Sequence, residues 1–494
     1  MATRPVHPVI YQINTWVWLG ELSRRYGRPI HLGVVPAQEW DALASLGIDA
    51  LWLMGVWERS PAGIRIAAQN EGLVADFRHA LPDFSPEDNV GSPYCVRSYI
   101  VDAHLGGPEG LMEARRMLAE RDIKLILDFV PNHCAPDHAW VAQHPEYFIH
   151  GDQEDSRRAP GSFMQIGDRV FACGRDPHYQ AWPDVLQLNA FHPEARRAMI
   201  ETVLNIAGQC DGIRCDMAML VMNSVFAQTW GPRAGSEPAQ EFWPELIQVV
   251  RKKYADFLFI AEAYWNLEWQ LQQQGFDFCY DKRLYDRLEH GNAESVRLHL
   301  CAERSYQDKL LRFIENHDER RAAKAFASQK AFAAAVTAAT IPGARLFHEG
   351  QFEGRRIRLP VFLGRRPDEP VDTDVKAFYD RFLDILGGDC LRNGQWRLCE
   401  RIGSPDAAGG EKLVAWSWRN ENESYLIVVN ISDAPARGQV RLPWNDPTGE
   451  KTLWTDIFTG NICEIKSGGL SVDLPAWRFY FLKSRIPPAA ERAE

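Results

Sequence analysis

Residues 193–216 read PEARRAMIETVLNIAGQCDGIRCD, and a change of period within this stretch decides the fold. Its first part, 193–209, opens with Pro at a tolerated first-turn position and carries apolar residues at helical spacing. Its last part, 212–216, is a short strand-like run that ends on Asp216. An amphipathic helix that feeds a short buried strand is the repeating unit of a parallel sheet with crossover helices. Outward from this stretch the unit recurs. Strand-length runs lie at 9–14, 50–54, 124–130, 257–262, 276–280, 310–315 and 344–348, and helical spacing fits the gaps at 108–122, 238–254 and 320–340. With 212–216 that makes eight strands. Eight strand–helix units repeated this regularly predict an α/β chain folded as a (β/α)8 TIM barrel, not an open doubly wound sheet.

Two connections exceed ordinary loop length: 55–107 after the second strand and 134–188 after the third, both rich in Gly, Pro, Asp and His. The latter is expected to form a short inserted domain. After a helix at 371–386 the pattern changes to short alternating runs at 413–418, 424–429, 438–442, 451–456 and 479–482, which predict an appended antiparallel β-sandwich. The expected organisation is a barrel over 1–390 with 134–188 inserted, a C-terminal β-sandwich over 391–486 and a flexible tail over 487–494.

Composition excludes some functions. The 55 Lys and Arg are outnumbered by 66 Asp and Glu and scattered among them, so the chain lacks the electrostatic footprint of a nucleic-acid binder. The N-terminus lacks a basic patch followed by an apolar run, and no stretch reaches the length of a membrane span. A cytoplasmic protein without nucleic-acid or membrane partners is expected. The ten cysteines stand singly, without CxxC pairs or zinc spacing, so reduced thiols and no zinc site are expected, while calcium stays open but unassigned. Subunit number is not written in the residues.

In such a barrel, functional groups project from the C-terminal ends of the strands. Here those ends are acidic. The third strand closes with Asp128-Phe129-Val130-Pro131-Asn132-His133 and the fourth is Asp211-Gly212-Ile213-Arg214-Cys215-Asp216. The fifth ends Ala261-Glu262-Ala263 and the seventh Glu315-Asn316-His317-Asp318. Period-two alternation puts Arg214 and Asp216 on one face of the fourth strand, where the guanidinium favours an ionised carboxylate, as a nucleophile needs. Glu262 follows the apolar run 257–261, surroundings that raise a carboxyl's pKa and suit a general acid.

These segments, in this order from Asp128 to Asp318, resemble the signature regions of the α-amylase family, glycoside hydrolase family 13. The resemblance implies a retaining α-glycosidase acting on α-glucan oligosaccharides through a covalent glycosyl-enzyme intermediate, with Asp216 as nucleophile and Glu262 as acid/base. It implies that Asp318 binds hydroxyls of the reacting sugar, while Arg214, His133 and His317 hold the sugar and orient the nucleophile. Tyr94, in Gly91-Ser92-Pro93-Tyr94, stands where the family has a Tyr that stacks beneath that sugar. Gln187-Leu188-Asn189 resembles a shortened family segment in the third-strand loop, and Phe347-His348-Glu349-Gly350-Gln351 resembles the eighth-strand end. No cofactor is implied. Asn132 occupies a position that in many relatives ligates calcium, without partner carboxylates that can be assigned.

The chain departs from the family after Asp216, where Met217-Ala218-Met219-Leu220 replaces the Lys-His pair of many amylases, and at Cys95, where many members carry Asp. The same residues admit a transglycosylase or a trehalose- or maltose-converting enzyme, because water and sugar acceptors share the mechanism. A non-catalytic carbohydrate- or protein-binding barrel would have lost carboxylates that this chain retains. A metal-dependent hydrolase would want an HxH pair after the first strand, which this chain lacks.

Overall fold

All eight expected strands form in the computed structural model, which describes residues 5–402, 409–443, 452–465 and 469–485. They are β1 (Val9–Asn14), β2 (Ala50–Met54), β3 (Lys124–Phe129), β4 (Gly212–Cys215), β5 (Leu258–Ala261), β6 (Phe278–Tyr280), β7 (Leu310–Arg312) and β8 (Ala344–His348). Each pairs in parallel with its neighbours in sequence, and β8 pairs with β1 to close the barrel. The strands are buried almost throughout because helices cover their outer faces and side chains fill the interior. Gly212 permits a close approach in this ring: a Cβ there would stand 2.6 Å from Leu258 Cβ on β5.

Several strands stop short of the expected ends. β4 ends at Cys215 and β7 at Arg312, so Asp216 and residues 313–318 lie beyond the regular strands, where the chain turns outward. The helix expected at 320–340 is two helices, Ala322–Ala325 and Ser328–Thr340. Between them Ala327 adopts φ 51°, which an α-helix cannot accommodate.

The long connections carry structure of their own. After β2, helices Pro61–Gln69 and Glu71–Ala80 lie in the chain between the two strands of an antiparallel pair, Trp57–Arg59 with Val96–Val101. After β3, His133–Cys134, Trp182–Gln187, Arg169–Gly174 and Phe163–Ile166 form an antiparallel inserted sheet. At the C-terminus a six-stranded antiparallel sheet faces a three-stranded one, made of Glu400–Ile402, Ala436–Arg441 and Leu470–Leu474. The run at 451–456 appears as Thr452–Asp456, and the tail at 487–494 lies outside the described residues. Among the described residues no helix is long and apolar enough to cross a membrane.

Candidate active site

Arg214 organises the mouth of the barrel. Its guanidinium is 1% exposed, and the ladder places it level with Asp128 on β3 and Ile260 on β5. Nη1 lies 2.6 Å from Asp216 Oδ1 and Nη2 lies 2.8 Å from Glu262 Oε2, so the two carboxylates sit on the two arms of one cation. A third carboxylate, Asp128, stands 3.6 Å from Nη1 and accepts from Trp52 Nε1 and the Gly55 amide. Trp52, Tyr94 and Tyr280 surround the guanidinium with ring faces at 5.3, 5.2 and 5.7 Å from its carbon. Arg214 Nε also donates to the Tyr280 hydroxyl at 3.3 Å.

The backbone beyond β4 and β5 is bent to serve this group. Met217 is left-handed at φ 41°, and the turn aims its amide at Glu262 Oε2, 2.6 Å away. Tyr264 donates its hydroxyl to the other oxygen, Oε1, at 2.8 Å. Trp265 and Asn266 follow at φ 60° and 65°. Such strain collects where the surrounding structure holds a site in place.

Burial pushes Glu262 up to about 7; Arg214 opposes the shift, and the negative charges of Asp216 and Asp318 reinforce it. Burial raises Asp216 as well, against the pull of Arg214. The guanidinium favours the ionised form of Asp216, as alternation along the strand implied, whereas desolvation acts in the opposite direction. Asp318 behaves differently. Its side chain is 46% exposed and opens into the cleft, and its carboxyl is held down to about 2, because His317 and Arg214 overcome the cost of desolvation.

His317 ties Asp318 to the rest. Its Nδ1 meets Gln12 Nε2 at 2.6 Å, which leaves Nε2 as the protonated nitrogen, 3.0 Å from Asp318 and 2.7 Å from the Tyr94 hydroxyl. The Tyr94 ring lies 5.4 Å from the imidazole with 28° between the planes. Asn316 Oδ1 accepts from the amides of Asp318 and Glu319, which fixes the turn that presents His317 and Asp318.

The structure therefore gathers Asp216, Glu262, Arg214, Tyr94, His317 and Asp318 into one connected group. His133 joins from the side: it bonds to the Tyr94 backbone and packs against Trp182, and burial lowers it to about 4, so it is neutral. Sequence reasoning missed Gln12, Trp52, Tyr264 and Tyr280. Gln12 had a signal, as an amide inside an apolar strand; the aromatics read as ordinary core. Cys95 turns to the inserted sheet, donating its thiol to the Asp184 carbonyl at 3.0 Å.

The position at Asn132 is filled by protein. Gln187 Nε2 lies 2.9 Å from both the Asn132 carbonyl and Oδ1, and 3.0 Å from the Leu188 carbonyl. An amide nitrogen thus occupies the point where these oxygens converge and a cation would need them free. The donor set does not fit calcium. Among the described residues no three His, Cys, Asp or Glu side chains group as ligands for a metal ion.

An eight-stranded parallel barrel with three carboxylates, a shared arginine and a histidine–tyrosine platform at the strand ends defines the class. The alpha-amylase catalytic-domain model matches residues 37–356, and the chain belongs to this family. Alpha-amylase MalA of Haloarcula japonica is 24% identical over 441 residues, covering 86% of this chain and 56% of its own length. An alpha-1,4-glucan:maltose-1-phosphate maltosyltransferase of Picrophilus torridus is 21% identical over 381 residues, covering 73% of this chain and 54% of its own. The chain thus spans little more than half the length of these curated relatives. Among solved structures, the maltogenic alpha-amylase AmyB of Thermotoga neapolitana superposes with a TM-score of 0.69 at 18% identity, over 98% of this chain and 99% of that one. The alpha-amylase of Geobacillus thermoleovorans, complexed with acarbose, gives 0.68 at 17% identity over 99% and 100%.

Proposed function

We propose that the protein cleaves α-linked glucose oligosaccharides with net retention of configuration. Asp216 attacks the anomeric carbon while Glu262 delivers its proton to the departing oxygen, and the deprotonated Glu262 then activates the acceptor that releases the sugar from Asp216. Asp318 and His317 take hydroxyls of the reacting sugar, Tyr94 supports its ring, and His133 lines its edge. The observation that carries this reading is the division of Arg214 between Asp216 and Glu262, with Glu262 raised to about 7. A carboxyl at that value exchanges its proton readily near neutral pH, as both half-reactions require.

Transfer to a sugar acceptor is a second reading. It draws on the maltosyltransferase relatives and on the apolar, buried stretch Ala218–Val221 that follows Asp216 closely in the chain. No cation is needed at the end of β3, where Gln187 already links the oxygens. The ten cysteines are unpaired, which fits a reducing compartment.

NMR analysis of products from maltose, maltotetraose, trehalose and maltose 1-phosphate tests this, with Asp216→Ala as control. New sugars of retained α-configuration from the unaltered protein alone are expected, and their identity distinguishes water from sugar as acceptor. Products of inverted configuration, or unchanged turnover by Asp216→Ala, would remove Asp216 from its role.

A further inference from the structure

In the closed ring, β8 and β1 lie across the barrel from β4 and β5. This sets a direction on the cleft, given the proposed function on which the inference rests. Glu262 follows β5 and must face the departing oxygen, so the leaving group extends over the β4–β5 side. The other end of the reacting sugar, which would carry any further non-reducing units, points towards β8, β1 and β2.

That side is walled. A pocket there is floored by His317 and Glu349, and its outer wall is Arg355, Ile357, Leu359 and Glu369, all from the segment 350–369 after β8. The segment is strapped across the mouth to the excursion that follows β2. Leu363 bridges Asn89 in antiparallel fashion, flanked by Val90 N to Phe362 O at 2.9 Å and Gly364 N to Asp88 O at 2.8 Å. Arg365 grips both oxygens of Asp88, at 2.6 and 2.9 Å, while Arg366 forms ion pairs with Glu349 at 2.6 Å and Glu21 at 2.7 Å. Leu363 is fully buried with Phe77, Ala80 and Leu81. The fit is close: a Cβ on Gly364 would stand 2.7 Å from Val90 Cγ1.

We infer that this strap closes the glycone side of the cleft and restricts the protein to the non-reducing ends of α-glucan chains, from which it takes a short glycone of fixed length. A mid-chain segment cannot thread past a wall held by main-chain bonds, a bidentate ion pair and a buried leucine. A chain end need not pass it.

Maltoheptaose and its 4,6-O-ethylidene derivative, blocked at the non-reducing end, provide the test, with products resolved by chromatography at early conversion. The expected result is one product length from the free-ended chain and a rate at least ~100-fold lower on the blocked chain, because a buried site rejects a group that it cannot accommodate. Similar rates on both, or a spread of early product lengths, would overturn the inference and leave the proposed function intact. Turnover of neither would overturn both. Loosening the strap with Asp88→Ala and Arg365→Ala together should raise the rate on the blocked chain at least ~10-fold, since two charged hydrogen bonds of the brace are lost. A folded double variant without that gain would remove the strap from its role.

Discussion

Arg214 balances three carboxylates with one charge, and the consequence falls on Glu262. As the proposed general acid it must be protonated, so kcat/KM should fall as pH rises through about 7, the value to which burial pushes it. Tyr264 moderates that value, because its hydroxyl hydrogen-bonds to Oε1 and favours the ionised form. Tyr264→Phe should therefore shift the basic limb upward by about half a unit to one unit, the worth of one such bond. A purely structural role for Tyr264 would lower kcat and leave the limb in place. Stability carries the same signature with a defined sign. A carboxyl raised above its unfolded value stabilises the fold only while protonated, so that contribution is lost as pH climbs from 4.5 to about 7. Glu262→Gln should thus melt higher than the unaltered protein at pH 8, differ little at pH 4, and lose turnover. Much of this site was legible in sequence, since alternation alone put Arg214 beside Asp216. The supporting aromatics were not, because Trp52 and Tyr280 occupy inward strand positions whose composition is that of any core.

At the scale of elements, the strands were legible and their ends were not. Asp216 leaves the strand while its amide still bonds to Phe129 O at 2.8 Å, and sequence does not mark where a ladder gives way to a turn. The break at Ala327 was equally hidden, because the run 320–340 is rich in helix formers and the interruption is one backbone angle. Gln187 shows how an element can be fastened by one side chain. It ends the strand Trp182–Gln187, and its amide fastens that strand to Asn132 at the end of β3. Gln187→Ala would strip partners from buried oxygens and should cost about 1–3 kcal/mol in denaturant unfolding. Gln187→Glu replaces the central nitrogen by a carboxylate oxygen facing three others, a set suited to a hard cation. That variant should melt higher with millimolar calcium than with chelator, whereas the unaltered protein should melt alike in both. A calcium-dependent melting temperature in the unaltered protein would show that the amide does not stand in for a cation.

At the scale of the molecule, the C-terminal sheets could be read as strands but not as a docked unit, because their key strand is apolar on both faces. In Leu413–Arg419, Leu413 and Ala415 join the core between the two sheets, while Val414, Trp416 and Trp418 join the barrel's own core. The adjacent strand Glu423–Asn430 divides the same way, with Leu426 and Val428 on one side and Tyr425, Ile427 and Val429 on the other. A strand buried on both sides loses the alternation that would announce which face meets which partner. The tryptophans also reach polar groups on the barrel helix Ser328–Thr340: Trp418 Nε1 donates to Thr340 O at 2.6 Å and Trp416 Nε1 to Thr340 Oγ1 at 3.2 Å. His7 meets the Trp418 ring edge-on at 5.2 Å, which draws the start of the chain into the same junction. A shared core of this kind makes barrel and sheets one cooperative body. Trp418→Ala should cost about 3–5 kcal/mol, the range for truncating a large buried aromatic, and calorimetry should show a single transition moved to lower temperature. Two transitions, with only one displaced, would mean that the sheets fold independently. The junction would then be a contact between separate domains, and the barrel would keep its stability when the C-terminal strands are removed.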